Sequence, residues 1–278
     1  MTAGQLSLLV PEPPSHRAAT DVLRLVLFNA QHASPARAWR QVGWLAKQET
    51  ADFVVVTEVG PGPGGDALVT ALAEHGYPSV LAPSPEVRDY RTVLASRSVP
   101  LEPVASGVTV LPHRAPCAAV RLGSQSFVLL GLYVPSRGPQ QRRNQDKRAF
   151  QAAVSAALPG LMARCQGPLI VAGDLNVVEP GHTPHHSVFG DWEYDFYRSF
   201  VAAGLADAYR QLHPDTVDHS WYGRAGNGYR FDHVFFDAAR CGQLLACDYL
   251  HEPRELGLTD HSAMLLQVGS ATPALSRP

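Results

Sequence analysis

Short apolar runs recur along the chain, separated by polar and glycine-containing stretches. Val22–Phe28, Phe53–Val56, Phe127–Tyr133, Leu169–Ala172, Phe231–Phe236 and Ala263–Val268 have the length and β-branched or aromatic content of buried strands. Helical spacing appears between some of them. Trp39, Val42 and Leu45 recur every third residue within Ala36–Gln48. Phe150, Val154 and Leu158 recur every fourth within Lys147–Leu158, and Tyr194–Ala203 has a similar pattern. Strands outnumber helices, and many follow one another with no helix between. That mixture predicts an α/β fold with large mixed sheets; two sheets packed face to face with helices outside is one such arrangement, and the pattern alone does not choose among layered folds. Met1–Thr20 contains Pro11, Pro13 and Pro14 and no periodicity, so residues 1–20 and 269–278 are expected to be flexible tails flanking one domain at 21–268.

Composition narrows this reading. The chain has 278 residues, 45% of them hydrophobic, enough for a substantial core. Its formal net charge is −2, so no global positive field attracts polyanions. A phosphate-rich substrate would need a local basic patch or bound cations. The four cysteines, Cys117, Cys165, Cys241 and Cys247, form no CxxC pair and read as reduced thiols. The apolar stretch Leu6–Val10 is short for a signal segment, and no run approaches the roughly 20 apolar residues of a membrane span. A soluble, cytoplasmic protein is expected, a monomer without membrane insertion.

The polar residues that follow the apolar runs carry the chemistry. Asn29 ends the first strand, Glu58 the second and Tyr133 the third. Gly173-Asp174-Leu175-Asn176 ends the fourth, Asp232 lies in the fifth and Thr259-Asp260-His261 precedes the sixth. Any one of these alone reads as a turn residue. Together they form an inventory for phosphodiester hydrolysis. Glu58 can hold Mg²⁺ or Mn²⁺. Asp174 can orient or deprotonate a water. His261, Asn29, Asn176 and Tyr133 can donate to developing charge, and Asp232 can fix the tautomer of His261.

At these residues the sequence resembles the endonuclease/exonuclease/phosphatase family, from about Leu23 to Val268, most specifically in GDLN (173–176) and TDH (259–261). The resemblance implies a four-layer α/β sandwich with two mixed, mostly antiparallel sheets inside. It implies Glu58 as the main metal ligand, with Asn29 and Asp260 nearby. Asp174 and Asn176 would position the water, Tyr133 would stand near the scissile phosphate, and His261 with Asp232 would stabilise it. Tyr194–Pro214, His219-Ser220-Trp221-Tyr222 and Arg230-Phe231-Asp232-His233 resemble segments of the exonuclease III-type abasic-site endonucleases. Asn29-Ala30-Gln31-His32 departs from that group's N-V-[ND]-G, and Thr57-Glu58 from its Q-E.

Substrate-binding candidates are Trp221, Arg137, Arg142, Arg143 and Arg230. The first arginines belong to a basic cluster with Lys147 and Arg148 that reads either as a phosphate-tracking patch or as a solvated helix start. His182, His185 and His186 read as a mobile polar loop rather than a metal site. Three functions remain in play: a DNA nuclease of the exonuclease III or abasic-site type, a phosphoesterase for small or lipid-linked phosphates, and a non-catalytic nucleic-acid-binding module.

Overall fold

The computed structural model describes residues 22–48, 51–84, 88–137 and 141–269, with the side chains of 141–143 outside the described set. Both expected tails lie outside the described residues, except Gly269, which closes the last strand. The first half of the chain supplies β1 (Val22–Asn29), α1 (Pro35–Lys47), β2 (Phe53–Val59), α2 (Pro63–Glu74), β3 (Ser79–Leu81), β4 (Arg91–Ser96), β5 (Glu102–Pro103), β6 (Cys117–Leu122) and β7 (Gln125–Tyr133). The second supplies α3 (Gln141–Arg164), β8 (Leu169–Asp174), α4 (Asp191–Ala202), β9 (Leu205–Asp207), α5 (Ala208–Leu212), β10 (Trp221–Tyr222), β11 (Gly228–Tyr229), β12 (Asp232–Asp237), β13 (Leu244–Leu250), α6 (Glu252–Glu255) and β14 (Ala263–Gly269).

Two six-stranded sheets result, ordered β13-β14-β1-β2-β4-β3 and β5-β6-β7-β8-β12-β9. Each has one parallel pair at its centre, β1/β2 and β7/β8, flanked by antiparallel neighbours. Each parallel pair is joined by a helical crossover, α1 or α3, as parallel neighbours require. The strands alternate faces with period two. Leu23, Leu25 and Leu27 of β1 and Phe53 and Val55 of β2 meet Phe127, Leu129, Ile170, Ala172, Val234 and Phe236 of the other sheet. The intervening Val26, Phe28, Val54 and Val56 pack against α1 and α2. Leu130, Leu132, Val171 and Phe235 pack against α3 and α4. Three apolar seams between four layers give the expected α/β sandwich.

The helices differ in detail from the sequence reading. Ser34 caps α1 by accepting from the Arg37 N–H, and Pro35 occupies its first turn. Its buried face is Ala38, Gln41, Val42, Trp44 and Leu45, whereas Trp39 is 36% exposed. The three-residue spacing therefore selected the wrong tryptophan: Trp44 is the buried one, its Nε1 donating to Glu252. Helix α2 was not expected, because Gly60-Pro61-Gly62-Pro63-Gly64-Gly65 reads as loop. Proline is compatible with the first helical turn, and a Cβ on Gly64 would stand 1.9 Å from the Ala33 carbonyl oxygen. Glycine there lets α2 approach the turn after β1.

Candidate active site

The period-two alternation that builds the core also builds the site. Asn29 continues the inward series Leu23-Leu25-Leu27, and Tyr133, Asp174 and Asp232 end the inward series of β7, β8 and β12. Register aligns them: Tyr133 is opposite Asp174, and Asp174 is opposite Asp232. Across the seam, Asn29 Nδ2 of the first sheet donates to Asp174 Oδ2 of the second at 3.0 Å. The centre thus lies where the carboxyl ends of both parallel pairs converge, the usual ligand position of α/β sheets.

Glu58 arrives differently. By alternation it would point with Val54 and Val56 toward the helices. An extra residue between Val56 and Val59 bulges β2, and Glu58 sits there at φ 53°. A bulge re-aims side chains at sheet rims. Asn176 also has positive φ, at 49°. Its N–H donates to Asp174 Oδ1 at 2.8 Å, and its side-chain amide donates to the Val134 carbonyl at 2.9 Å and to Asp174 Oδ2 at 3.3 Å. Lys147 secures that turn by donating to the Asn176 carbonyl at 2.8 Å.

His261 Nδ1 donates to Asp232 Oδ2 at 2.7 Å in a buried pair. Burial disfavours a charged ring, but the adjacent Asp232 carboxylate, with help from Asp174 and Asp260, outweighs it and raises the His261 pKa to about 10. The Asp174 pKa is also raised, well above the usual carboxylate range, by burial and then by the neighbouring Asp232 charge. Burial also holds the Tyr133 phenol firmly protonated, reinforced by the Glu58 and Asp174 charges.

Glu58, Asp174 and His261 each bring a ligand-type atom within 4.8 Å of the others. The Nδ1 hydrogen bond to Asp232 leaves the His261 ring only Nε2 to offer in this trio, beside the Glu58 and Asp174 carboxyl groups. Asp260 lies beside it, with Oδ2 accepting from Trp221 Nε1 at 2.9 Å and Oδ1 buried without a hydrogen-bond partner, 4.0 Å from His261 Nε2. Carboxylate oxygens of this kind suit a hard divalent cation. Asn29, also expected near a metal, has its carboxamide engaged by Asp174 and, at Oδ1, by the Gln31 N–H.

Two cavities open from this centre and share Glu58, Tyr133 and Ser136. One, of about 340 Å³, has aromatic walls of Phe189, Trp221, Tyr229 and Phe231 and also touches Arg137. The other, of about 670 Å³, contains Arg88, Asp89, Tyr90 and Arg114. A larger cavity of 790 Å³ between α4 and the segment 214–218 contains none of the strand-end groups. Of the missed wall residues, Tyr90 precedes β4, a strand the apolar pattern did not single out. Phe189 lies in a segment with no periodicity.

The basic candidates separate. Arg137 is at the site, its guanidinium paired with Glu193 at 3.0 Å. Arg142 and Arg143 fall among the side chains outside the described set. Lys147 is buried against Glu193 at 2.5 Å, so it is no part of a phosphate-tracking surface. Arg230 is corrected outright. It is fully buried, bound to Glu179 at 2.7 Å and Asp207 at 2.5 Å, and cannot reach a substrate. His182 and His186 are likewise buried rather than in a mobile loop: His182 accepts from the Arg230 N–H, and His186 stacks on Tyr229 at 3.9 Å.

Residues 26–261 match the model of the Endonuclease/Exonuclease/phosphatase family. An exodeoxyribonuclease of Bacillus subtilis (strain 168) is 26% identical over 158 residues, covering 51% of this chain and 61% of that protein. In structure the chain is similar to a 3'-5' exonuclease from Neisseria meningitidis, with TM-score 0.71 and 20% identity over 89% of this chain and 100% of the other. It is similar to an AP endonuclease from Archaeoglobus fulgidus, with TM-score 0.70 and 19% identity over 90% and 100%. The matched region spans every strand end of the site from Asn29 to His261, and the chain belongs to the endonuclease/exonuclease/phosphatase family.

Proposed function

We infer that the protein is a metal-dependent phosphodiester hydrolase acting on DNA, as an exonuclease III-like enzyme or an abasic-site endonuclease. The observation that carries this reading is the juxtaposition, across the two sheets, of Asp174 held by Asn29 and Asn176 with His261 held by Asp232. Asp174, fixed by three amide hydrogen bonds, orients a water and accepts its proton. The His261 imidazolium and the Tyr133 phenol supply donors where negative charge grows on the phosphate. Glu58 and Asp260 would hold Mg²⁺ or Mn²⁺, which neutralises phosphate oxygens and stabilises the leaving group when bound. Trp221 and its aromatic neighbours offer a wall for a sugar or base, with Arg137 at its edge.

The test uses a labelled duplex with one abasic site and an intact duplex, each in Mg²⁺, Mn²⁺ and EDTA. The expected outcome is metal-dependent cleavage that drops about 10²–10⁴-fold in Asp174→Asn and in His261→Ala. No cleavage of either duplex by folded protein would remove DNA as substrate. One observation favours a second reading, a phosphoesterase for small or lipid-linked phosphates: Lys147 and Arg230, candidate DNA contacts, are consumed by buried ion pairs. Under that reading, sugar phosphates or headgroup esters are hydrolysed and DNA does not compete. Cleavage lost in Asp174→Asn would exclude a purely binding module.

A further inference from the structure

His32 stands on a backbone built to hold it in place. Gln31 and His32 take successive left-handed conformations, at φ 48° and 40°, where side-chain-bearing residues are uncommon. Three contacts enforce the turn. The Gln31 N–H donates to Asn29 Oδ1 at 2.8 Å, the His32 N–H donates to the Glu58 carbonyl at 3.0 Å, and Arg37 grips the Gln31 carbonyl. The product of this arrangement is a single contact: His32 Nδ1 lies 3.2 Å from Glu58 Oε1. The His32 side chain is otherwise 56% exposed, with Tyr90 alongside at 5.8 Å between ring centroids.

Backbone strain costs about 1–3 kcal/mol per residue and persists where the surroundings impose it. Here it aims an imidazole at the carboxylate that the bulge of β2 has independently aimed at the same rim. Two ligand atoms in adjacent positions on one ion, each at about 2.1 Å, lie about 3.0 Å apart. The Nδ1–Oε1 separation matches that spacing. His32 is not a member of the cluster formed by Glu58, Asp174 and His261, and it meets that cluster through Glu58 alone. Among the described residues, no lysine or arginine forms an ion pair with Glu58.

We propose that His32 and Glu58 together ligate the divalent cation, and that the imidazole tilts this site toward a transition-metal ion over Mg²⁺. The proposal rests on the reading of Glu58 as a cation ligand. Imidazole suits late first-row ions, whereas all-oxygen sites suit Mg²⁺. Water and substrate oxygens complete the shell, as is usual for sites with few protein ligands.

Co²⁺ and Mg²⁺ are titrated calorimetrically into the wild type, His32→Asn, His32→Ala and Glu58→Gln, and the visible absorption of bound Co²⁺ is recorded. Asparagine tolerates the left-handed conformation and replaces nitrogen by a hard oxygen, so His32→Asn keeps the turn. The expected result is a roughly tenfold loss of Co²⁺ affinity in both His32 variants, a shifted Co²⁺ spectrum, and Mg²⁺ affinity largely retained. An equal loss for both ions would mean that His32 only positions Glu58, and no loss would mean that it is not a ligand; either overturns the proposal. Glu58→Gln that binds both ions like the wild type would instead overturn the reading of Glu58 on which it stands.

Discussion

Five described non-glycine residues have positive φ, and four of them, Gln31, His32, Glu58 and Asn176, surround the site. The left-handed backbone of Glu58 separates two substitutions that both remove the carboxylate. Glu58→Gly relieves the left-handed backbone and Glu58→Ala does not. The glycine variant is therefore expected to be more stable by about 1 kcal/mol in urea denaturation, with both variants inactive. An alanine variant as stable as the glycine one would remove the argument from strain. None of this is legible in the residue types: Thr57-Glu58-Val59 reads as an ordinary strand end, and only the pairing across β4 reveals the extra residue.

At the scale of elements, the segments flanking the site are fastened by groups that sequence reasoning assigned to chemistry. Arg230 at the entry to β12 clamps Glu179, after the Asn176 turn, to Asp207 at the end of β9. Removing one partner of such a buried network leaves uncompensated charge. Arg230→Ala is thus expected to lose about 3–5 kcal/mol of stability in urea, with KM little changed in the protein that remains folded. A stable variant with a raised KM would return Arg230 to the substrate. His182 carries a pH signature in the same region. Burial, with His219 and His186 adding to it against the Pro184 hydrogen bond, lowers its pKa to about 4. The unfolded chain takes up a proton near pH 6.5 that the folded one refuses. Stability therefore falls as pH drops from about 6.5 toward 4 and changes no further through this group below that. The wild-type melting temperature should decline more steeply between pH 7.5 and 5 than that of His182→Gln. Parallel declines would show that His182 is not responsible.

For the whole molecule, the site is a property of how two sheets face each other. Asn29 and Glu58 belong to one sheet, Tyr133, Asp174 and Asp232 to the other. Their spacing is set just beneath, where Gly131 of β7 meets the opposite sheet. A Cβ at Gly131 would stand 2.7 Å from Thr92 Cγ2, 2.9 Å from Leu94 Cδ2 and 3.1 Å from Val55 Cγ1. Gly131→Ala must displace these side chains or widen the seam. It is expected to cost about 1–3 kcal/mol of stability. The displaced Asp174 should lower hydrolysis by about 10²-fold, as misplacements near 1 Å do. Full activity with a native melting temperature would mean that the seam adjusts without moving the site.

Apolar periodicity and the polar residues ending each run were enough to identify the central strands and the strand-end groups, whereas the four-layer sandwich followed from the family resemblance carried by GDLN and TDH. The cause is local: period-two alternation and strand termini are written in consecutive residues. Tertiary structure decided which cations were free and which were bound, because Arg230 and Lys147 meet partners distant in sequence. It also decided where Glu58 points, through a bulge defined only by its neighbour strand, and that His32 stands beside it. Charge pairing and backbone re-aiming depend on contacts between segments, which no window of consecutive residues contains.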